Sequence, residues 1–245
     1  MILILGGTAE ARELAAALEA RGVSVTSSLA GRVARPRLPA GEVRIGGFGG
    51  PDKLAAWLRE HAVTAVVDAT HPFAERISAS AARAASQAGV PLLRLERPGW
   101  REREGDRWHW VDDLHAAATL LPQLGRSAFL TTGRQGLAAF AGVRDVWMLI
   151  RCVDPPEPPL PRRHELLLDR GPYTLAGELG LIDAHEIDVV VTKDSGGEHT
   201  VAKLEAARAR GLPVIVVRRP ARSADVPTAT RVADALGWVT QAHAG

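Results

Sequence analysis

The sequence predicts an α/β fold made of two similar halves, each a parallel sheet covered by helices. Three observations predict it. Short apolar runs alternate with Ala-rich amphipathic stretches along the chain, the order that builds parallel sheets. One unit recurs. Val63-Thr-Ala-Val-Val-Asp-Ala-Thr-His-Pro-Phe73, an Ala-rich stretch and Gly89-Val-Pro-Leu-Leu-Arg-Leu-Glu-Arg-Pro98 are matched by Ile187-Asp-Val-Val-Val-Thr-Lys-Asp-Ser-Gly-Gly197, a second Ala-rich stretch and Gly211-Leu-Pro-Val-Ile-Val-Val-Arg-Arg-Pro220. The openings match as well, Leu3–Ala11 beside Ala128–Gly136, each an apolar run ending in a turn that contains glycine.

Taken in order, Ile2–Leu5 is a buried strand ended by Gly6-Gly7, and Ala9–Ala20 is a helix with Leu14 and Leu18 on one face. Gly22 stops it, and Val23–Ser28 is the second strand. Pro51–His61 is helical, with proline in its first turn. Ala65–Val67 is a strand, Phe73–Gln87 a helix and Val90–Leu95 a strand. Arg107–Val111 is a further strand, and Asp112–Leu121 a helix with aspartate as its cap. The pattern then restarts with the strand Ala128–Thr131, a short helix and the strand Val146–Val153. Asp154–Pro161 is too rich in proline for helix and reads as a stiff extended loop. Thr174–His185 and His199–Arg210 are helices, Val189–Thr192 and Val214–Arg218 strands, and Arg231–Ala244 a last helix. The expected division is 1–124, a Rossmann-like N-terminal domain with a glycine-rich dinucleotide turn, and 125–245, a Rossmann-like C-terminal domain. An interdomain cleft is expected between them.

Composition narrows the function classes. The 245 residues are 46% hydrophobic and 24% charged, enough to bury a core. A formal charge of +2, with basic pairs only at 162–163 and 218–219 and no recognition motif, argues against nucleic acid and leaves anionic small molecules open. The single cysteine, Cys152, excludes an internal disulfide and a Cys-x-x-Cys site, and reads as a small buried hydrophobe. No apolar run nears the ~18 residues of a membrane span and no leader pattern opens the chain, so a cytoplasmic protein without a membrane partner is expected.

In open α/β sheets ligands bind beyond the carboxyl ends of the strands. Gly6-Gly7-Thr8-Ala9-Glu10 follows the first strand and opens the first helix, where free N–H groups and the helix dipole suit a phosphate. The second strand runs into Ser27, Ser28 and Arg32 with no acid, which suits a ribose 2′-phosphate and so NADPH rather than NADH. Arg44-Ile-Gly-Gly-Phe-Gly-Gly50, with Gly47 at its centre, is a candidate lining of the cofactor site; a mobile loop is the alternative. At the end of another strand stand Asp68, Thr70 and His71, their turn set by Pro72. In the second half the matching positions are Thr132, Gly133 and Arg134, then Lys193, which aligns with Ala69, followed by Ser195 and Gly196. Lys203 lies on the next helix, as a ligand or as an exposed helix lysine. There is no Gly-Lys P-loop, no His-Glu-x-x-His, no Gly-x-Ser-x-Gly, and Tyr173 has glycine four residues on, so no Tyr-x-x-x-Lys pair exists. No metal site and no flavin are expected. The six tryptophans read mainly as packing, with an aromatic substrate platform as the alternative.

The ordered set Gly6-Gly-Thr-Ala-Glu-Ala-Arg12, Ala30-Gly-Arg32, Gly46-Gly-Phe-Gly49, Val67-Asp-Ala-Thr-His-Pro-Phe-Ala74, Thr131-Thr-Gly-Arg134 and Thr192-Lys-Asp-Ser-Gly-Gly197 with Lys203 resembles the precorrin-6A reductase family over nearly the whole chain. The resemblance implies an NADPH-dependent oxidoreductase of cobalamin biosynthesis, reducing a ring D double bond of precorrin-6A to give precorrin-6B. It implies a cofactor set of Gly6, Gly7, Thr8, Glu10, Ser28, Arg32, Gly47, Asp68 and Thr70. The anionic tetrapyrrole would meet Thr132, Gly133, Arg134, Ser195, Gly196 and Lys203. His71 and Lys193 are the candidates nearest the chemistry, His71 as proton donor unless water serves. The cobalt-containing substrate of the anaerobic pathway, a non-catalytic dinucleotide-binding module, and hand-over of substrate between pathway enzymes stand beside this reading.

Overall fold

The computed structural model describes residues 1–31, 37–222 and 225–244. In chain order the elements are β1 (Ile2–Leu5), α1 (Ala9–Glu19), β2 (Val25–Leu29), β3 (Glu42–Ile45), α2 (Pro51–Glu60), β4 (Ala65–Asp68), α3 (Glu75–Ala88), β5 (Leu92–Leu95), β6 (Arg107–Val111) and α4 (Leu114–Leu124). There follow β7 (Ser127–Leu130), β8 (Trp147–Cys152), β9 (His164–Leu168), α5 (Leu175–Ala184), β10 (Val189–Lys193), α6 (Ala202–Ala209), β11 (Pro213–Val217), β12 (Thr228–Ala229) and α7 (Val232–Ala244). Two compact units result, Met1–Pro98 with Ala221–Gly245, and Gly99–Pro220.

Each unit is a six-stranded, all-parallel sheet, ordered β12-β5-β4-β1-β2-β3 in the first and β6-β11-β10-β7-β8-β9 in the second. This is the expected α/β, Rossmann-like class in duplicate. Alternate residues of a strand face opposite layers, and helices cover both, so the central strands are apolar except at their ends, at Asp68, Ser127, Thr192 and Lys193. Ile2 and Ile4 face Leu14 and Leu18 of α1 and Ala235 and Val239 of α7, while Leu3 and Leu5 face Leu54 and Leu58 of α2 and Ala81 and Ala84 of α3. In the second unit Phe129, Leu149, Val190, Val214 and Val216 pack against Ile182 of α5 and Leu204 of α6, with Trp100, Trp108, Trp110 and Trp147 at the margin. Those tryptophans are packing residues, Trp108 and Trp110 meeting edge to face at 5.6 Å.

The domain boundary differs from the expected one at 124/125. β6 pairs with β11, Arg107 beside Pro213 through Val111 beside Val217, so β6 and α4 belong to the second unit. β12 pairs with β5, Thr228 beside Arg94 and Ala229 beside Leu95, so the C-terminal tail returns to the first. Each sheet therefore takes its sixth strand from the chain that has just left the other sheet. Pairing between strands more than a hundred residues apart leaves no local periodicity to read. β3 and β9 also escaped the sequence pattern. Both are edge strands with exposed residues, Glu42-Val-Arg-Ile45 and His164-Glu-Leu-Leu-Leu168, and neither has the buried apolar run that marked the others. α3 starts at Glu75 because His71 to Ala74 closes a turn first, Ala74 N–H donating to the His71 carbonyl at 2.8 Å. α4 is capped by Asp113, one residue beyond the expected start, whose Oδ1 accepts from Ala116 N–H at 2.8 Å.

Candidate functional site

The first half builds its site on the turn between β1 and α1. Gly7 has φ +119, a conformation closed to most L-residues, and a Cβ added there meets no atom within 4 Å, so its backbone faces open space. Thr8 is the N-cap of α1: its Oγ1 accepts from Ala11 N–H at 3.1 Å and donates to the Ala69 carbonyl at 2.8 Å. The cap thus ties the helix start to the end of β4 and takes up the Ala11 N–H, while the N–H groups of Ala9 and Glu10 precede the first helical hydrogen bond, where a helix N-terminus receives a phosphate. Glu10, in that first turn, is ion-paired with Arg97 at 2.8 Å. Ser27 and Ser28 are buried in β2, and Ser27 Oγ has no hydrogen-bond partner among the described residues. Arg44 of β3 stands beside Ser28 in the sheet register and donates weakly to its Oγ at 3.5 Å. Its guanidinium lies 3.8 Å over the Phe48 ring and donates to the Gly46 and Gly47 carbonyls at 2.6 and 2.9 Å. Gly47 therefore sits in a loop organised by Arg44, a structured loop rather than a loose one. Arg32 lies outside the described residues.

At the end of β4 the Asp68 carboxylate is buried and engaged. Its Oδ1 accepts from Thr70 N–H at 3.2 Å and Thr70 Oγ1 at 2.7 Å, and its Oδ2 lies 3.6 Å from Arg222. His71 is exposed, and its Nδ1 accepts from Phe73 N–H at 3.2 Å, so a neutral ring carries its proton on Nε2. Arg222 escaped sequence reasoning. Besides Asp68 it reaches Ser78 Oγ at 3.1 Å, the His71 and Pro72 carbonyls at 3.1 and 2.6 Å, and Glu96 at 3.5 Å. The only signal for it was its basic character, because the return of the chain to the first sheet was not visible.

In the second half the strand register refines the match between the openings. β1 pairs Ile2 with Ala65, and β7 pairs Ala128 with Val189. With Val63 matched to Ile187, Gly6 falls on Thr132, Gly7 on Gly133 and Ala69 on Lys193, one residue off the alignment of Leu3 with Ala128. Gly133 keeps a positive φ, +74. The helix after it does not survive: Leu137–Phe140 is a single 3₁₀ turn before β8. Thr131 Oγ1 donates to the Val191 carbonyl at 3.1 Å, whereas Thr132 Oγ1 is buried without a partner among the described residues. Arg134 is partly exposed, close enough to Cys152 to pull its thiol pKa down, but burial outweighs this and raises it, which suits the inert reading of that cysteine.

Lys193 ends β10 partly buried, and burial lowers its ammonium pKa. The following Asp194 accepts from Trp100 N–H at 2.9 Å and lies 3.3 Å from Arg219 Nε. Ser195 Oγ lies 3.3 Å from Thr200 Oγ1, and Gly196 and Gly197 complete the turn. Lys203 is not an exposed helix lysine. It is 3% exposed, its Nζ donates to the Thr200 carbonyl at 2.5 Å and sits 4.7 Å from the centre of the Trp100 ring. Its pKa falls to about 7, first through burial and then through Arg151, against the opposing pull of Glu178. Arg151 and Glu178 form a buried two-pronged ion pair, with the guanidinium stacked on Tyr173 at 3.5 Å. Among the described residues no group of three His, Cys, Asp or Glu is arranged to hold a metal, and no helix is long and apolar enough to cross a membrane.

The first half therefore offers a capped helix N-terminus beside an open glycine backbone and a serine–arginine strand end. These are the parts a dinucleotide takes. The second offers Lys193, the buried Thr132 hydroxyl, without a partner among the described residues, and glycine turns, which suit carboxylates. The family model described as Precorrin-6x reductase CbiJ/CobK matches residues 1–240. A Precorrin-6A reductase of Rhodococcus erythropolis is 56% identical over 239 residues, covering 97% of this chain and 96% of that one. A Cobalt-precorrin-6A reductase of Priestia megaterium is 32% identical, covering 90% of this chain and 91% of its own. The solved structure of a CobK precorrin-6A reductase superposes with a TM-score of 0.93 at 42% identity, over 98% of this chain and 96% of that one.

Proposed function

The chain belongs to the precorrin-6x reductase family, and within it we propose that this enzyme of cobalamin biosynthesis uses NADPH to reduce a ring D double bond of metal-free precorrin-6A. Identity of 56% to a relative named for the metal-free substrate, against 32% to one named for the cobalt form, supports that choice of substrate. When bound, NADPH supplies a hydride to one carbon of the double bond and leaves as NADP⁺, and the neighbouring carbon takes a proton.

The observation that carries the assignment of ligands is the turn Gly6-Gly7-Thr8 with α1 behind it, present in full only in the first half. Gly6, Gly7 and the first turn of α1 would receive the pyrophosphate. Ser28, Arg44 and Arg32 would meet the 2′-phosphate, and Gly47 would line the same side. Glu10, Asp68 and Thr70 would support this set through their internal bonds: Glu10 with Arg97, and Asp68 with Thr70 and Arg222. In the second half Lys193, Arg134, the Thr132 and Ser195 hydroxyls and the N–H groups of Gly133 and Gly196 would hold the acetate and propionate edge of the tetrapyrrole. His71, whose Nδ1 accepts from Phe73 N–H, is the proposed proton donor through Nε2. The protein thus contributes position and charge, and the cofactor the reactivity.

Initial rates with metal-free and cobalt-loaded precorrin-6A, each with NADPH and NADH, test this reading. Turnover with NADPH and the metal-free macrocycle is expected to exceed the other three combinations. Preference for NADH, or for the cobalt form, contradicts it.

A further inference from the structure

The two places where the chain passes from one sheet to the other carry the same pattern, Pro98-Gly99-Trp100 and Pro220-Ala221-Arg222. In both, the residue two after the proline is fastened to the loop that follows the strand beside the sheet centre, β10 in one unit and β4 in the other. Trp100 N–H donates to Asp194 Oδ1 at 2.9 Å, and its indole Nε1–H donates to the Gly197 carbonyl at 3.2 Å. Gly99 is required for this approach, because a Cβ there would lie 2.5 Å from Asp194 Oδ2. Arg222 reaches the Asp68 carboxylate at 3.6 Å and the His71 and Pro72 carbonyls at 3.1 and 2.6 Å. Its side chain is 11% exposed, so these contacts are largely shielded from water. Nothing about strand pairing demands them. β12 and β6 are already held by ladders to β5 and β11.

We propose that Arg222 and Trp100 are positioning residues, each holding one ligand loop in its working shape: Arg222 the Asp68–Pro72 turn, Trp100 the Asp194–Gly197 turn. The proposal rests on the reading above, in which the first loop borders the dinucleotide and the second the tetrapyrrole. Without Arg222 the His71 and Pro72 carbonyls lose a donor and the Asp68 carboxylate loses its cation, keeping only the Thr70 bonds, and the turn that presents Thr70 and His71 relaxes. Without the Trp100 indole the Gly197 carbonyl is released, and with it the backbone that presents Ser195 and Gly196.

The test compares Arg222→Leu and Arg222→Lys with Trp100→Phe, which keeps a ring beneath Lys203 but lacks the indole N–H. NADP⁺ affinity is measured by titration calorimetry, KM for precorrin-6A by initial rates, and Tm by thermal unfolding. Loss of one such bond predicts an effect of about tenfold. Arg222→Leu is expected to weaken NADP⁺ about tenfold while the KM for precorrin-6A stays within about twofold, with Arg222→Lys recovering part of the loss. Trp100→Phe is expected to do the reverse. If Arg222→Leu does not fold, Arg222→Lys carries the same comparison at smaller size. Unchanged constants in every variant overturn the proposal. So does a parallel loss in both ligands that tracks the fall in Tm, because that is a purely structural role. Selective effects on the exchanged ligands leave the positioning role standing and overturn the assignment of ligands to halves.

Discussion

The two halves share a strand order and part at the turn after the matched strands β1 and β7. After β1 the chain makes Gly6-Gly7-Thr8 and then an eleven-residue helix capped by threonine. After β7 it makes Thr132-Gly133-Arg134 and then a four-residue 3₁₀ turn. A positive φ is kept in both, +119 at Gly7 and +74 at Gly133, while the helix is lost. A full helix N-terminus concentrates free N–H groups and dipole on a phosphate; one 3₁₀ turn does not. The second half instead gains charge: Lys193 stands where the first half has Ala69, and Lys203 lies buried behind the same loop. On the proposed assignment of ligands, the first half would receive the nucleotide mainly through its helix N-terminus, and the second the anionic edge of the substrate mainly through side chains.

The sharpest way to break this contrast is at the two glycines. Gly7→Val forces a β-branched residue into the left-handed region, at a cost of about 1–3 kcal/mol before any clash with ligand. It is expected to weaken NADP⁺ by about tenfold or more in calorimetry, whereas Gly133→Val should leave that affinity alone and raise the KM for precorrin-6A. Equal effects of both substitutions on NADP⁺ would erase the distinction.

Lys193→Ala is expected to lose the proposed charge-assisted hydrogen bond to substrate, about 1.5–3 kcal/mol, or about ten- to a hundredfold in kcat/KM for precorrin-6A, with Tm near wild type. A large drop in Tm would make the lysine structural. Next in size is the 2′-phosphate preference. Arg44→Ala is expected to raise the KM for NADPH about tenfold and the KM for NADH little, because only the former carries the extra phosphate. Arg32→Ala should act in the same direction.

The smallest effect on catalysis and the clearest on stability comes from Lys203. Its pKa is about 7 in the folded protein and near 10.5 when exposed, so between those values the unfolded chain binds more protons, and stability rises with pH across that window. Lys203→Met, which buries without titrating, should therefore be stabilised relative to wild type below about pH 7, and the gap should narrow as pH rises toward about 10. Thermal unfolding at pH 6, 8 and 9.5 checks this. A gap constant with pH would show that the ammonium is not strained by burial.

Local features were legible in the sequence and distant ones were not. Ile2–Leu5 with Gly6-Gly7, and Val66-Val67 ending in Asp68, announce buried strands and their turns within a few residues, and the repeated unit announces the duplication. The exchange of sixth strands was hidden because β12 is two residues long and β6 reads as a local continuation of the first half. Arg222 was hidden with it, since its partners Asp68 and His71 lie about 150 residues earlier. The burial of Lys203 was hidden for another reason: α6 is buried at Ala202, Lys203, Leu204, Ala206 and Ala207, more than one face of an amphipathic helix, and a lysine in such a run looks like its solvent side. Arg44 was seen only as the start of a glycine loop, because β3 is too polar to announce itself as the strand beside Ser28.

The division of labour between the halves is tested most directly by hydrogen–deuterium exchange on the intact protein with and without NADP⁺. The account predicts added protection in the peptides covering Gly6–Ala11 and Arg44–Gly50, and none beyond the free protein in Thr131–Gly136 or Lys193–Gly197. Protection of Thr131–Gly136 and Lys193–Gly197 by NADP⁺, with Gly6–Ala11 unchanged, would contradict it.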